Sequence, residues 1–427
     1  VHQAGLKVII DFVPNHVARD YADFTASHPA PTGMTSLGEQ DDSSVHWKEE
    51  NDFFYYPGKA LRLPVENQTY VEIPAKASGN AYTAEPGVND WYDTIKLNYC
   101  DTPSRTWSKM FDIVTFWASA GVDGFRCDMV ELVPPEFFKW LISRVKKLYP
   151  HIIFVAEVYQ KTLYAKYIRE VGFDLLYDKS GMYDAVRAIV EKNVNDSGVP
   201  VEAWQSTKRI TGNWQFLGDL QPYMLNFLEN HDEQRFASDF FGKDAKNSFA
   251  ALYVSLLLNQ APFMLYAGEE VGEKGMDTEG FSGIDGRTTI FDWWAPSALT
   301  RLYRYIHGDS TALTENETAL LERYRKVMRF AAEDKAVGEG VVYDLCYCNY
   351  SSDGFNPDKH FAFLRDYKEE TQLVVCNFSK NDADVKIVIP EHAFQWMEMP
   401  ETDKFNHTLP IAVHVPAMDA VILQVCG

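Results

Sequence analysis

Six short apolar runs, spread over the first 266 residues, constrain the fold more than any other feature of the sequence. None of them alternates between apolar and polar residues, which is typical of parallel strands that are covered on both faces. Segments of helical period separate most of the runs, such as the one that opens at Pro134-Pro135-Glu136 with proline in its first turn. Strands that alternate with helices predict an α/β fold with a parallel sheet. The runs are Leu6–Phe12, Val122–Cys127, Ile152–Ala156, Phe173–Tyr177, Tyr223–Leu228 and Pro262–Tyr266.

Two stretches of the chain depart from this pattern. Residues 17–98 carry no long helical pattern and many turn-forming residues, so we predict an inserted, loop-rich subdomain there. After about residue 335 β-type runs follow one another without helices between them, which predicts a separate antiparallel domain over 335–427. The β/α domain then covers residues 1–334. The β-type runs are Val341–Tyr347, His360–Tyr367, Gln372–Asn377, Val385–Ile389 and Ala420–Val425.

The charge balance excludes some classes of partner. With 40 Lys+Arg and 61 Asp+Glu the formal net charge is −21 at pH 7. We therefore expect no nucleic acid and no anionic membrane as the main partner, because phosphates require a basic face. The longest uncharged run, Phe249–Gly268, is interrupted by Asn259, Gln260 and Pro262, so we expect a buried core and no transmembrane segment. The localisation, cytoplasmic or periplasmic and secreted, stays open at this point.

Ionisable residues follow four of the apolar runs at their carboxyl ends. In a barrel of alternating strands and helices, catalytic groups lie at that end of the strands. The spacing agrees, because 29 residues separate Asp128 from Glu157, about one βα unit, and 75 separate Glu157 from Asp232, which fits two units with a long loop. The clusters are Asp11-Phe-Val-Pro-Asn15-His16, Gly121-Val-Asp-Gly-Phe-Arg126-Cys-Asp128, Ile152-Ile-Phe-Val-Ala-Glu157 and Asn226-Phe-Leu-Glu-Asn230-His231-Asp232.

The second and third clusters have the composition of an acid–base pair. Arg126 and Asp128 are two residues apart, so they share one face of a strand, while Cys127 points to the other. An arginine beside a carboxylate keeps that carboxylate ionised near neutral pH, which suits a nucleophile. Glu157 at the next strand end could donate a proton if partial burial raises its affinity for protons. Two carboxylates in these roles are the working groups of glycoside hydrolysis.

Each cluster taken alone has a structural explanation. A single carboxylate at a strand end is more often a helix cap or a loop salt bridge, and His231-Asp232 alone is usually a hydrogen-bonded loop pair or a pair of metal ligands. Arg126 and Asp128 alone could be a structural ion pair. The four clusters together favour one shared site, because they fall at positions that the spacing assigns to successive strands.

The segments DFVPNH, GVDGFRCD, FVAE and FLENHD resemble, in order and spacing, the conserved regions of the α-amylase family, glycoside hydrolase family 13. The resemblance implies a (β/α)8 TIM barrel with an inserted B domain at 17–98 and a C-terminal β-sandwich at 335–427. The first segment is similar to the third strand of that barrel, so two further βα units are expected before Val1.

The resemblance also implies roles for individual residues. It makes Asp128 the nucleophile, Glu157 the acid/base and Asp232 the transition-state stabiliser. The residues that would bind the sugar at the cleavage subsite are His16, Arg126, His231 and Asp11.

The implied activity is that of a retaining glycoside hydrolase acting on α-1,4-linked glucans or maltooligosaccharides. A transglycosylase or isomerase of the same family, of trehalose or sucrose type, and a catalytically silent carbohydrate-binding member are the alternatives. No cofactor is required in this interpretation, although Asn15 matches a position that often binds calcium in the family. Many α-amylases have a Lys-His pair where this chain has Glu131 and Leu132, which bears on both the outgoing-sugar subsite and the calcium site.

Overall fold

A computed structural model describes the chain over residues 1–21, 35–195, 198–278, 283–288, 294–368, 370–398 and 410–426. The chain divides into two compact units, unit 1 from Val1 to Tyr177 and unit 2 from Asp178 to Gly427.

Unit 1 combines a parallel sheet with two long helices and a stretch of short strands. Its strands are β1 (Ile9–Phe12), β2 (His16–Ala18), β3 (Tyr55–Tyr56), β4 (Ala75–Lys76), β5 (Thr94–Lys96), β6 (Gly124–Cys127), β7 (Ile153–Ala156) and β8 (Leu175–Tyr177). Its α-helices are α1 (Arg105–Ser119), α2 (Pro135–Leu148) and α3 (Tyr164–Lys166). Short 3-10 turns span His2–Ala4, Val130–Leu132 and Lys161–Leu163, and a π-helical turn spans Tyr167–Val171.

The parallel strands of unit 1 lie in the order β1, β6, β7 and β8. Their register places Asp11 beside Arg126, and Arg126 beside Val155. All four residues of β6 are buried, as expected of a parallel strand covered on both faces. Because the strands are parallel, their carboxyl ends meet at one edge of the sheet, and Asp128 and Glu157 follow directly at that edge.

Helices α1 and α2 pack against each other through aromatic side chains. Helix α1 buries Trp107, Met110 and Val114, which recur every three or four residues and so share one face. The ring of Trp107 lies 5.5 Å from that of Phe137 in α2, in an edge-to-face arrangement. Helix α2 begins at Pro135, where a missing backbone N–H costs nothing.

The turn-rich stretch expected at 17–98 contains short strands and, among its described residues, no helix. Strand β2 pairs antiparallel with β5, and β3 pairs antiparallel with β4. A buried ion pair joins Arg19 to Glu72 at 2.8 Å. The boundaries of an inserted domain stay a prediction.

Unit 2 holds two further parallel strands and the antiparallel sheets. Strand β9 (Met224–Phe227) pairs in parallel with β10 (Phe263–Met264). The helices of the unit are α4 (Asp184–Val194), α5 (Lys208–Leu217), α6 (Phe249–Leu257), α7 (Ser297–Ile306), α8 (Glu315–Glu333), α9 (Lys335–Gly338), α10 (Cys346–Asn349) and α11 (Glu391–Trp396). The remaining strands are β11 (Val341–Asp344), β12 (His360–Tyr367), β13 (Glu370–Asn377), β14 (Ala383–Ile387), β15 (Ile411–Val415) and β16 (Asp419–Cys426).

The described strands that follow residue 340 are all antiparallel. One sheet has the order β11, β12, β13 and β16, and β14 pairs with β15. The predicted run Val341–Tyr347 ends as a strand at Asp344, because the Asp344 carboxylate accepts the Cys346 N–H at 2.8 Å and α10 begins there. The sequence patterns missed β15, which is a short strand.

The six parallel strands of the described chain, four in unit 1 and two in unit 2, confirm the α/β class, and each lies within one of the six predicted runs. The predicted domain boundaries at residues 334 and 335 stay a prediction. Among the described helices, none has the length and apolar character of a membrane span.

Candidate active site

Arg126 is the centre of a cluster of carboxylates in unit 1. Its Nη1 atom lies 2.7 Å from Asp128 Oδ1 and 3.1 Å from Asp11 Oδ1, and its Nη2 atom lies 3.0 Å from Glu157 Oε1. The strand register explains the cluster, because β6 lies between β1 and β7. The structure therefore brings together four of the residues that the sequence singled out.

The charged groups of this cluster shift one another's pKa values. Burial raises the pKa of Asp128, Arg126 lowers it and Glu157 raises it, and the result is a pKa of about 6. The Asp128 carboxyl is therefore mostly ionised at pH 7. Burial lowers the pKa of Arg126, but Glu157 and the other nearby acidic groups outweigh burial, so its pKa is raised and the guanidinium keeps its charge.

Glu157 is buried and accepts two hydrogen bonds besides its contact with Arg126. The Met129 N–H donates to Oε2 at 2.9 Å, and the Tyr159 hydroxyl donates to Oε1 at 2.7 Å. Sequence reasoning missed Tyr159. The signal was the two-residue spacing from Glu157, which places two side chains on one face of an extended segment.

Glu131 fixes the backbone that follows Glu157. Its carboxylate accepts the Tyr159 N–H at 2.8 Å and the Gln160 N–H at 3.2 Å. This residue stands at a position where the sequence departs from many α-amylases, and here it connects the turn after β6 to the loop after β7.

His16 lies in an aromatic and largely buried environment. Its ring centroid is 5.3 Å from that of Trp91. Burial, and then the charge of Lys96, lower the pKa of His16, so the imidazole is neutral at pH 7. A neutral imidazole can both donate and accept a hydrogen bond, which suits the binding of sugar hydroxyls.

The surroundings of Asn15 do not fit the calcium ion that the family resemblance suggested. The Asn15 Nδ2 group donates to Gly79 O at 2.9 Å, and the Lys96 ammonium donates to Asn15 Oδ1. Calcium needs six or more oxygen ligands, and no group of three or more His, Cys, Asp or Glu side chains suited to a metal occurs in the described ranges. Burial lowers the pKa of Lys96 to about 8, so the ammonium form predominates at pH 7 and a cation already lies at the Asn15 oxygen.

In unit 2, His231 and Asp232 lie in a tight turn after β9. Asn230 Oδ1 accepts the backbone N–H groups of Asp232 and Glu233 at 2.9 and 3.0 Å. The His231 Nε2 atom lies 3.3 Å from Asp232 Oδ2. Arg287 Nε donates to the Asp232 carbonyl at 2.7 Å, so the turn is held by a side chain 55 residues later in the chain.

Two buried or half-buried acidic residues anchor the same turn. Glu229 and Arg235 form an ion pair at 3.0 Å, and both are 1% exposed. Glu233 accepts the Tyr183 hydroxyl at 3.0 Å and lies 3.2 Å from Lys179 Nζ. These contacts fix the backbone on either side of Asp232.

Parallel strands with carboxylates at their carboxyl ends are typical of α/β enzymes. The model of the α-amylase family, described as the α-amylase catalytic domain, matches residues 1–344, and the chain belongs to this family.

The relatives of this chain are several different enzymes of that family. Alpha-amylase MalA of Haloarcula japonica is 27% identical over 64% of this chain and 33% of its own length. Alpha-amylase 3 of Dictyoglomus thermophilum is 24% identical over 94% of this chain and 74% of its own length. The chain thus spans a third of the first relative and three quarters of the second. Other relatives bear the names neopullulanase and α-1,4-glucan:maltose-1-phosphate maltosyltransferase.

Solved structures agree on the fold. The debranching enzyme of Nostoc punctiforme superposes with a TM-score of 0.64 over 99% of this chain and 76% of that protein, at 16% identity. At this identity the likeness shows the fold alone. Family membership and the names of the relatives support a glycoside hydrolase or a transglycosylase.

Proposed function

We propose that this protein is a retaining glycoside hydrolase that cleaves α-1,4-glucosidic bonds in starch-type glucans or maltooligosaccharides. The observation that carries the proposal is the contact of one guanidinium, that of Arg126, with both Asp128 and Glu157. Two carboxylates that share a guanidinium lie side by side. Retaining glycosidases hold their two carboxyl groups close together, whereas inverting ones leave room for a water molecule between them, so the shared guanidinium supports retention.

In the first step Asp128 attacks the anomeric carbon of the bound sugar. The bond to the leaving oxygen breaks with its electron pair, and Glu157, as the general acid, donates a proton to that oxygen. A covalent glycosyl ester on Asp128 results. In the second step Glu157 takes a proton from water, the water oxygen attacks the anomeric carbon, and Asp128 leaves as a carboxylate, so the α configuration is restored.

The remaining residues are assigned to binding. Arg126 keeps its charge beside Asp128 and favours the ionised nucleophile. His16 and His231 would hydrogen-bond sugar hydroxyls, and Asp11 would orient Arg126, which it contacts. Asp232 would bind the sugar more tightly in the distorted transition state; the resemblance to the family supports this role.

The experiment is to incubate the protein with maltoheptaose and to follow the products by chromatography and their first-formed anomer by NMR. We expect shorter maltooligosaccharides that appear as the α-anomer. Asp128→Asn should abolish turnover, because it removes the nucleophile, while the exposed Asp101→Asn should leave the rate unchanged. A β-anomeric product, or full activity of D128N, would contradict the mechanism.

A transglycosylase is the second candidate, since relatives include enzymes named as a maltosyltransferase and a cyclomaltodextrin glucanotransferase. In the same incubation a transferase forms products longer than maltoheptaose, or cyclic ones, from the same glycosyl-enzyme. Binding of maltoheptaose without any product would instead identify a catalytically silent member of the family.

A further inference from the structure

Lys96 is a buried cation at a junction of three segments of unit 1. It ends β5, and its residue is 6% exposed. Strand β5 pairs with β2, so Lys96 lies directly across from His16. The lysine therefore occupies the border between the turn-rich stretch and the parallel sheet.

The Lys96 ammonium is bound by neutral oxygens. Its Nζ donates to the side-chain oxygen of Asn15, 81 residues away, and to the backbone carbonyl of Leu132 at 3.0 Å. It forms no ion pair with a carboxylate in the ranges that the structure describes. Amide and carbonyl oxygens also bind hard cations, but two of them are too few for calcium.

The two oxygens that bind the Lys96 ammonium belong to segments that also carry or contact residues of the candidate active site. Asn15 precedes His16 in the chain, and its Nδ2 lies 3.2 Å from His16 Nδ1. Leu132 ends the 3-10 turn that follows Met129, whose N–H binds Glu157. The ammonium thus joins the segment that carries His16 to the turn that supports Glu157.

We propose that the Lys96 ammonium is the fixed internal cation of this junction and takes the place of a divalent metal ion there. The protein then folds and keeps its active geometry without calcium. A covalently attached cation cannot be removed by a chelator, so the junction stays formed in calcium-poor surroundings.

The first experiment measures the intact protein by differential scanning calorimetry and by isothermal titration with calcium chloride. We expect the same Tm in EDTA and in excess calcium, and no saturable heat of calcium binding. These readouts do not depend on the proposed reaction, so a failure of the glycosidase assay would not affect them.

The second experiment compares Lys96→Met with Lys59→Met. Lys59 is an exposed lysine of the same turn-rich stretch, and K59M should match the wild type. K96M keeps the length of the side chain but leaves two buried oxygens without their donor, so its Tm should fall by about 4 °C or more.

Two results would overturn the proposal. One is a stoichiometric calcium isotherm of the wild-type protein with a Tm that falls in EDTA. The other is a K96M variant with the Tm of K59M. The wild-type measurements decide the matter even if K96M does not fold.

Discussion

At Asp128, burial and a neighbouring arginine move the pKa of one carboxyl in opposite directions. Burial is the larger effect and Glu157 adds to it, so the pKa is raised to about 6 although Arg126 lies 2.7 Å away. The nucleophile of the proposed reaction is therefore ionised at neutral pH but is protonated in mild acid.

The pH dependence of kcat/KM should show this ionisation. A protonated Asp128 cannot attack the anomeric carbon, so we expect kcat/KM for maltoheptaose to fall as the pH drops below about 6. Asp11→Asn removes a negative charge that contributes to the raised pKa of Asp128, so the acid limb should move to lower pH in that variant. A profile of the wild type that stays flat through pH 6 would show that another group carries the reaction.

Tyr159 should matter through Glu157. Tyr159→Phe removes the hydroxyl that donates to Glu157 Oε1, so the acid/base loses one of the contacts that orient it. We expect kcat/KM for maltooligosaccharides to fall about tenfold, the effect of roughly 1.4 kcal/mol in the transition state.

Aryl glycosides with good leaving groups provide the control for that loss. Their departure needs little proton donation, so Y159F should affect their first step much less. Tyr149→Phe, at the end of α2, should leave kcat/KM for both kinds of substrate unchanged. Equal losses for both kinds of substrate in Y159F would instead indicate a general disturbance of the site.

At the scale of the elements, helix α2 follows closely after the turn that supports Glu157, and α1 packs against α2. Helix α1 presents Trp107, which is 2% exposed, to the aromatic residues of α2. On the same helix Trp117 is 45% exposed. The two tryptophans therefore offer a matched pair that differs in burial.

Trp107→Ala should lower the free energy of unfolding by about 3–5 kcal/mol, because it opens a cavity in a well-packed aromatic cluster. Urea titration followed by circular dichroism measures this loss. Trp117→Ala should change stability by about 0.5 kcal/mol or less, as is usual for exposed positions. Similar losses for both variants would mean that α1 is not packed through the Trp107 face.

At the scale of the whole molecule, the net charge of −21 disfavours binding to polyanions. We expect it to pass unretained through a heparin column at low salt, because a polyanion is repelled by an acidic surface. Native gels that contain glycogen should nevertheless slow its migration, since the proposed α-glucan substrate is neutral. Retention on heparin, or migration unaffected by glycogen, would contradict this expectation.

Sequence patterns determined much of the fold and the placement of the proposed catalytic carboxylates. Non-alternating apolar runs predicted each parallel strand, because covering both faces of a strand requires apolar residues throughout. The two-residue spacing of Arg126 and Asp128 placed them on one side of β6, and the structure joins them at 2.7 Å. Glu157 followed from the next strand end. These inferences succeed because they depend on local periodicity and on the direction of the strands.

Tertiary structure alone decided what surrounds those residues. The family resemblance suggested calcium at Asn15, but the ammonium of Lys96, 81 residues later in the chain, lies there. No local sequence pattern predicts that contact. The neighbouring arginine predicted an ionised Asp128, whereas the pKa of about 6 also reflects burial and a carboxylate on another strand. Burial and contacts between distant residues are properties of the folded chain, because they depend on how all the residues between them fold.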